Sequence, residues 1–340
     1  MAGPPVRQSQ FCVSISRIRT RMRSRASDNR KGEIDMNSQK HLLLLAILAV
    51  AVSPAAGQQV TPAPTKVVSQ SAIPDFSGMW RHGNLPWFIP PASGPGPVTN
   101  TSRERGTGVS NYSELVGDYT NPILQPWAAE VVKKKGDLSK AGIVFPNPAN
   151  SCWPEPMPFL FKHMGMSMLQ LPNEIVMLFS ENHEVRRVRM NQPHPAKVTP
   201  SWHGDAVGRY EGDTLVIDTV GVRTDRPHAM IDLFGTPYTD KLRVVERHRM
   251  VDYAEAKDAM ARGMKENRRG GGPYNPNYDD KYLKVDFTIE DPGTFTTPWN
   301  AVMIYLRDRE AFPEIVCAEG RMGFHNDEGG QIPTAAKPEF

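Results

Sequence analysis

The densest chemistry in the sequence lies between Ser201 and Thr219, SWHGDAVGRYEGDTLVIDT, where Trp202, His203, Asp205, Arg209 and Tyr210 crowd one arm of an expected hairpin. His203 and Asp205 stand two positions apart. In a strand that spacing puts both on one face, where a carboxylate can orient an imidazole as a general base. An ordinary polar contact between strands uses the same pair. Arg247 or Arg209 would then stabilise negative charge developing on a substrate. Trp202, Tyr210 and Trp299 offer aromatic contact area, and His183, Arg187, Arg209 and Glu246 offer polar groups, for a small and partly apolar ligand. Those aromatics serve equally well as core packing, His183 as a turn residue, and Glu211-Gly212-Asp213 as a plain turn. Glu246 and Arg247 are harder to dismiss. Adjacent strand residues point to opposite faces, so one of them faces inward, where a charge is costly unless paired or used. Binding and catalysis both require His203, His183, Glu246 and Arg247 to surround one cavity.

Other chemistries find no pattern. The chain has no HxH, HExxH or CxxC spacing, so no metal site is expected. No glycine-rich phosphate loop follows a strand, and neither Ser180 nor Ser201 sits in a nucleophile elbow. No cofactor is expected.

The elements that position these residues read as β. Leu215–Ile217 is an apolar, β-branched run suited to a buried strand, and Glu211-Gly212-Asp213 supplies the turn before it. Ile175–Phe179 and Val185–Met190 flank Glu181-Asn182-His183-Glu184. Leu242–Val251, Tyr282–Ile289, Ala301–Leu306 and Ile315–Cys317 follow. Consecutive hairpins without helices between them predict a mainly β fold: an antiparallel meander forming a closed or partly closed, lipocalin-like barrel with short helices and long Pro-rich loops. Gly78 two residues before Trp80 fits a tryptophan plugging one end of such a barrel. A short helix is expected over Ile123–Lys135, with Pro126 in its first turn and Gly136 beyond its end. Tyr253–Asp280, a charged helix followed by a Gly/Asn/Pro loop, reads as an insertion the barrel can do without.

The first 57 residues read as outside the folded protein. His41–Val52 is apolar after its first residue, too short to span a bilayer, and followed by small residues at Ala55 and Gly57, as in a secretory signal peptide starting at Met36. Residues 1–35 read as upstream sequence from a mis-set start, with a basic arm or a transit peptide as alternatives. Residues 36–57 are then the signal peptide, 58–72 a flexible linker, 73–335 one β-rich domain with the insertion at 253–280, and 336–340 a tail. Residues 1–57 hold nine basic and three acidic groups; without them the chain's 40 basic and 37 acidic residues become 31 and 34, so the net charge turns from +3 to −3. Nothing in that balance suggests a nucleic-acid partner. Cys152 and Cys317 remain as an even pair in an exported chain, and a disulfide between them is expected over two buried thiols. No cysteine follows the apolar stretch as a lipid anchor would need, so the expected compartment is the periplasm or the medium.

Ser201–Thr219, with Asp75-Phe-Ser-Gly-Met-Trp80, Ile289-Glu-Asp-Pro292, Thr297-Pro-Trp299 and Cys317-Ala-Glu-Gly320, resembles a large family of uncharacterised exported bacterial proteins with the signature W-x-G-x-S-x-G-x-W-E-G-D-T-L-V-V-x-T. The resemblance spans most of the mature chain. It departs at Ala318, where the family has His, at Arg321, where it has Asn, and in a longer Tyr253–Asp280 segment. It implies export and the β fold, and no reaction. The function expected is binding of a small apolar or aromatic molecule in a barrel pocket; the alternative is a cofactor-independent hydrolase or lyase using His203, Asp205 and Arg247. A structural envelope protein without a pocket is the third reading.

Overall fold

A computed structural model describes residues 73–82, 88–163, 165–226, 229–266, 278, 280–308 and 315–317. The expected leader, signal peptide, linker and tail, with Trp87 and most of the loop in Tyr253–Asp280, lie outside the described residues. Nine strands close a barrel in chain order: β1 (Gly78–Arg81), β2 (Gly165–Gln170), β3 (Glu174–Phe179), β4 (Val185–Met190), β5 (Asp205–Glu211), β6 (Thr214–Val220), β7 (Arg243–Val251), β8 (Tyr282–Glu290) and β9 (Trp299–Asp308). The expected mainly β, closed architecture is present. Among the described residues no helix is long and apolar enough to cross a membrane.

Three details differ from expectation. β4 and β5 pair in parallel, Arg189 opposite Val207 and Met190 opposite Gly208, so the meander is interrupted once. Residues 191–204 make the crossover that a parallel pair needs. Its two ends are fastened by Asn191 N–H to Gly208 O at 2.7 Å and Ser201 N–H to Gly221 O at 3.1 Å. β2, GMSMLQ, lacks the β-branched residues that mark its neighbours, and no strand was expected there. Ile315–Cys317 contributes a single bridge, Ile315 to Glu181, rather than a strand.

Alternation sorts each strand into an inner and an outer face. The inner face carries Met166, Met168, Met177, Val188, Leu215, Ile217, Val285, Phe287 and Tyr305, none above 1 % exposure. A void large enough for water would leave its walls measurably exposed. Among the described residues the barrel interior is therefore filled by side chains and leaves no space for the ligand expected inside it. Trp80 packs into this core with its Nε1–H donating to Phe76 O at 2.9 Å. The Arg307 guanidinium lies 4.4 Å from its ring centroid and donates to Ser77 O. Gly78 makes room: its φ is +116°, and a Cβ there would come within 2.6 Å of Arg307 Nη1.

α1 (Pro126–Lys140) starts at its proline and runs five residues beyond the expected end, through Gly136. Gly136 is retained in mid-helix because Val116 lies against it, only 3.0 Å from where a Cβ would be. α2 (Tyr253–Met264) lies outside the barrel, as expected of the insertion. It is not a bystander, however. Ala256, Ala259 and Met260 pack on Tyr282, Val302, Ile304 and Leu306, outward positions of β8 and β9 that would otherwise face water.

Candidate functional site

The barrel end where β3 runs into β4 is closed by residues 152–163, a Pro-dense loop leading into a 3₁₀ helix at Phe159–Lys162. Phe161 enters the barrel mouth and meets Phe287 and Phe179 edge-on at 4.9 and 6.0 Å. A disulfide between Cys152 and Cys317, with Cα atoms 5.5 Å apart, fastens the start of this segment. The 315–317 segment is in turn tied to the β3–β4 turn by Asn182 N–H to Ile315 O and Cys317 N–H to Asn182 Oδ1, both 2.8 Å. The cap and the turn are thus clamped to each other.

Two polar groups assemble here. In the first, His203 Nε2 lies 2.7 Å from Glu184 Oε2, and the Glu184 carboxylate also accepts the Glu155 backbone N–H at 3.0 Å. Because a carboxylate only accepts, Nε2 carries the proton and a neutral ring offers its lone pair at Nδ1. Nδ1 makes no hydrogen bond among the described residues, and the side chain keeps 18 % exposure. Beside it Trp202 and Trp153 meet at 6.0 Å, and the Arg223 guanidinium stands 5.2 Å from the Trp202 ring.

The second group lies deeper. Glu155 and His163 are almost wholly buried, Lys162 is 8 % exposed and Glu181 26 %. Lys162 Nζ contacts Glu155 Oε1 at 2.9 Å and Glu181 Oε2 at 2.5 Å. His163 lies between the same carboxylates, 3.1 Å from Glu155 through Nε2 and 3.3 Å from Glu181 through Nδ1. Burial by itself would lower the pKa of Lys162 and of His163, but the two carboxylates outweigh it and raise both. For Glu181 burial acts upward, and His163 with Lys162 overcome it, holding the carboxyl down at about 2.

A third network fills the barrel centre. Arg186 grips Glu246 with two hydrogen bonds of 3.0 and 2.6 Å and Thr219 Oγ1 with one of 2.8 Å, while His248 Nε2 meets Glu246 Oε2 at 2.9 Å. The expectation that Glu246 or Arg247 faces inward resolves to Glu246. Phe161, 5.8 Å from Arg186, separates this network from the mouth.

The constellation expected from sequence is dispersed: His203, His183, Glu246 and Arg247 do not surround one cavity, so the binding and catalytic sites expected among those four residues are not formed. Arg247 points outward because Glu246 points in. Arg187 is exposed and paired with Glu174, and its neighbour Arg186 takes the inward place. Arg209 is exposed and paired with Glu211. His183 is an exposed turn residue at φ 50°. The His203–Asp205 pair also fails. Gly204 between them sits at φ +69°, where a Cβ would be 2.6 Å from Val220 O, so strand alternation does not apply. Asp205 instead meets Arg189 at 2.8 Å and His194 at 2.6 Å. Tyr210 accepts from Gln170 Nε2 at the far end of the strand, and Trp299 is core, edge-on to Phe88 and Phe295. His203 and Trp202 alone keep their expected places, joined by Glu184, Trp153 and Arg223.

A separate cleft of about 50 Å³ lies outside the barrel between Phe88, Asn100, Tyr112 and Phe234, with Asp232 in its wall. Burial pushes the Asp232 carboxyl up to about 6, against hydrogen bonds from Thr236 Oγ1–H and the Thr236 and Phe234 backbone N–H groups. The folded state therefore holds this proton more tightly than the unfolded chain, whose carboxyl titrates near 3.8. The stabilisation is complete below about pH 3.8 and is lost as pH rises through about 6, a change of about 3 kcal/mol. Asp232→Asn should remove that fall in urea-unfolding free energy between pH 4 and pH 7. An identical pH profile in the variant would contradict the assignment.

No family model matches the sequence, no curated protein matches it, and no solved structure matches the fold.

Proposed function

We propose that the protein is exported and takes a small, partly apolar or aromatic molecule at the capped end of the barrel, on the Trp153–Trp202 surface, with His203 as its polar anchor. The observation that carries this reading is the His203 ring, fixed through Nε2 by Glu184 while Nδ1 stays unbonded in a partly exposed side chain beside the tryptophan pair. Rigid aromatic area with one or two placed polar groups is the usual make-up of a small-molecule site. Export is supported by the signal-peptide pattern, by the disulfide and by the resemblance of Ser201–Thr219 to the exported bacterial family.

The Glu184–His203 pair favours a second reading, a cofactor-independent hydrolase or lyase. In it His203 Nδ1 removes a proton from substrate or water, and Glu184 orients the ring and stabilises the imidazolium. In this reading Glu184 takes the part expected of Asp205, and Arg223, beside the Trp202 ring and paired with Asp225, is the candidate for the part expected of Arg247.

A thermal-shift screen of small aromatic acids, esters and amides supplies the ligand for the test. Trp202→Ala should then weaken binding by about 10-fold or more, the loss of one buried aromatic contact. His203→Ala in a binding protein costs a similar factor, whereas in an enzyme it cuts turnover by about 10²–10⁴ with binding largely kept. Ligands whose affinity and conversion ignore both substitutions would refute the site.

A further inference from the structure

Glu155, His163 and Glu181 belong to neither reading of the mouth, because His203 reaches Glu184 and not these groups. We propose that they form a binding site for a divalent first-row transition ion, which competes with the Lys162 ammonium for the same carboxylates. One ligand atom from each of the three residues lies within 4.8 Å of the other two. An imidazole offers a given ion one nitrogen. The 3.1 Å between His163 Nε2 and Glu155 Oε2 is close to the roughly 3.3 Å expected between donors sharing an ion with bonds of about 2.0–2.1 Å. Nδ1, 3.3 Å from Glu181 Oε2, stays outside the coordination sphere.

The second observation is the state of the buried atoms. Both oxygens of Glu155 and both ring nitrogens of His163 are inaccessible to solvent, and none has an aligned hydrogen bond, although opposite charges stand within ion-pair distance. Native proteins rarely leave four such atoms together. A completed salt-bridge network would align them; an ion accepting one lone pair from each side chain would satisfy one Glu155 oxygen and one His163 nitrogen, and would leave the other ring nitrogen protonated as a donor. One imidazole and two carboxylates suit zinc or its neighbours in the row rather than calcium or magnesium, which prefer oxygen alone.

The ligand-bearing segments are held before any ion arrives. The disulfide and the Asn182 contacts clamp the cap to the β3–β4 turn, and His82 Nε2 lies 2.8 Å from the His163 carbonyl oxygen. Lys162 is the built-in competitor. Its long side chain at the end of the 3₁₀ helix keeps 8 % exposure and can swing outward when a dication takes its place between Glu155 and Glu181.

The test uses the exported, disulfide-intact protein and Zn²⁺ as probe, with metal content measured after dialysis and affinity by competition with a chromophoric chelator. Wild type should retain about one equivalent, and Glu155→Gln and His163→Gln should each lose it by 100-fold or more in affinity. Lys162→Met, which removes the competing charge, should bind at least 10-fold more tightly than wild type. Wild type without stoichiometric zinc would overturn the proposal. So would zinc that survives in Glu155→Gln and His163→Gln, since it would be bound elsewhere. Every readout is independent of any molecule at the Trp153–Trp202 surface, so failure here leaves that reading standing.

Discussion

Glu246→Ala should destabilise the protein by about 3–5 kcal/mol, because it strands the Arg186 guanidinium in the barrel centre. Arg186 is 1 % exposed, enclosed by packed side chains. Its two bonds to Glu246 and one to Thr219 are what make that burial tolerable, and Thr219 alone cannot balance a charge. Equilibrium unfolding in urea reads the loss directly. The companion experiment replaces both partners, Arg186→Met with Glu246→Met, and should recover most of the stability, since an apolar pair of similar volume carries no desolvation cost. A loss below about 1 kcal/mol in the single variant would mean that Arg186 finds water or another partner, and that the centre is less tightly filled than described.

Cys152→Ser with Cys317→Ser should cost about as much by a different route. The bridge joins residues 165 apart, and in the chain-entropy model a loop of that length restrains the unfolded state by about 5 kcal/mol. The folded state also loses the clamp between cap and turn, so Trp153 should become more mobile and Trp202 lose its edge-on neighbour. A urea midpoint close to that of the parent, with unchanged tryptophan emission, would show that the bridge restrains neither state.

The barrel was legible because the period-two pattern is strong in β8, where one face is apolar and the other mostly charged, and can be followed through β4 and β7 despite the inward Arg186, Glu246 and His248. The same pattern also contained the inward arginine. Val188 and Met190 share their parity with Arg186 and not with Arg187, so the strand's own pattern marks Arg186 as the inward arginine. Other losses had no local trace. Glu155, Lys162, His163 and Glu181 come from separate loop and turn segments, and no spacing rule links them before the chain folds. His203 is legible in the sequence but its partner is not, because one glycine in the left-handed region turns the backbone between it and Asp205. β2 escaped because methionine and glycine carry little strand preference. The parallel β4–β5 pair escaped because the crossover at residues 191–204 holds no helix to announce it.

The most direct measurement of the mouth as the binding surface is the set of tryptophan indole N–H resonances, recorded while small aromatic acids, esters and amides are titrated in. Active compounds should shift the signals of Trp153 and Trp202 and leave those of Trp80 and Trp299, within the packed core, in place, and His203→Ala should weaken the same titration. Compounds that shift Trp80 or Trp299 and leave Trp153 and Trp202 untouched would contradict binding at the mouth.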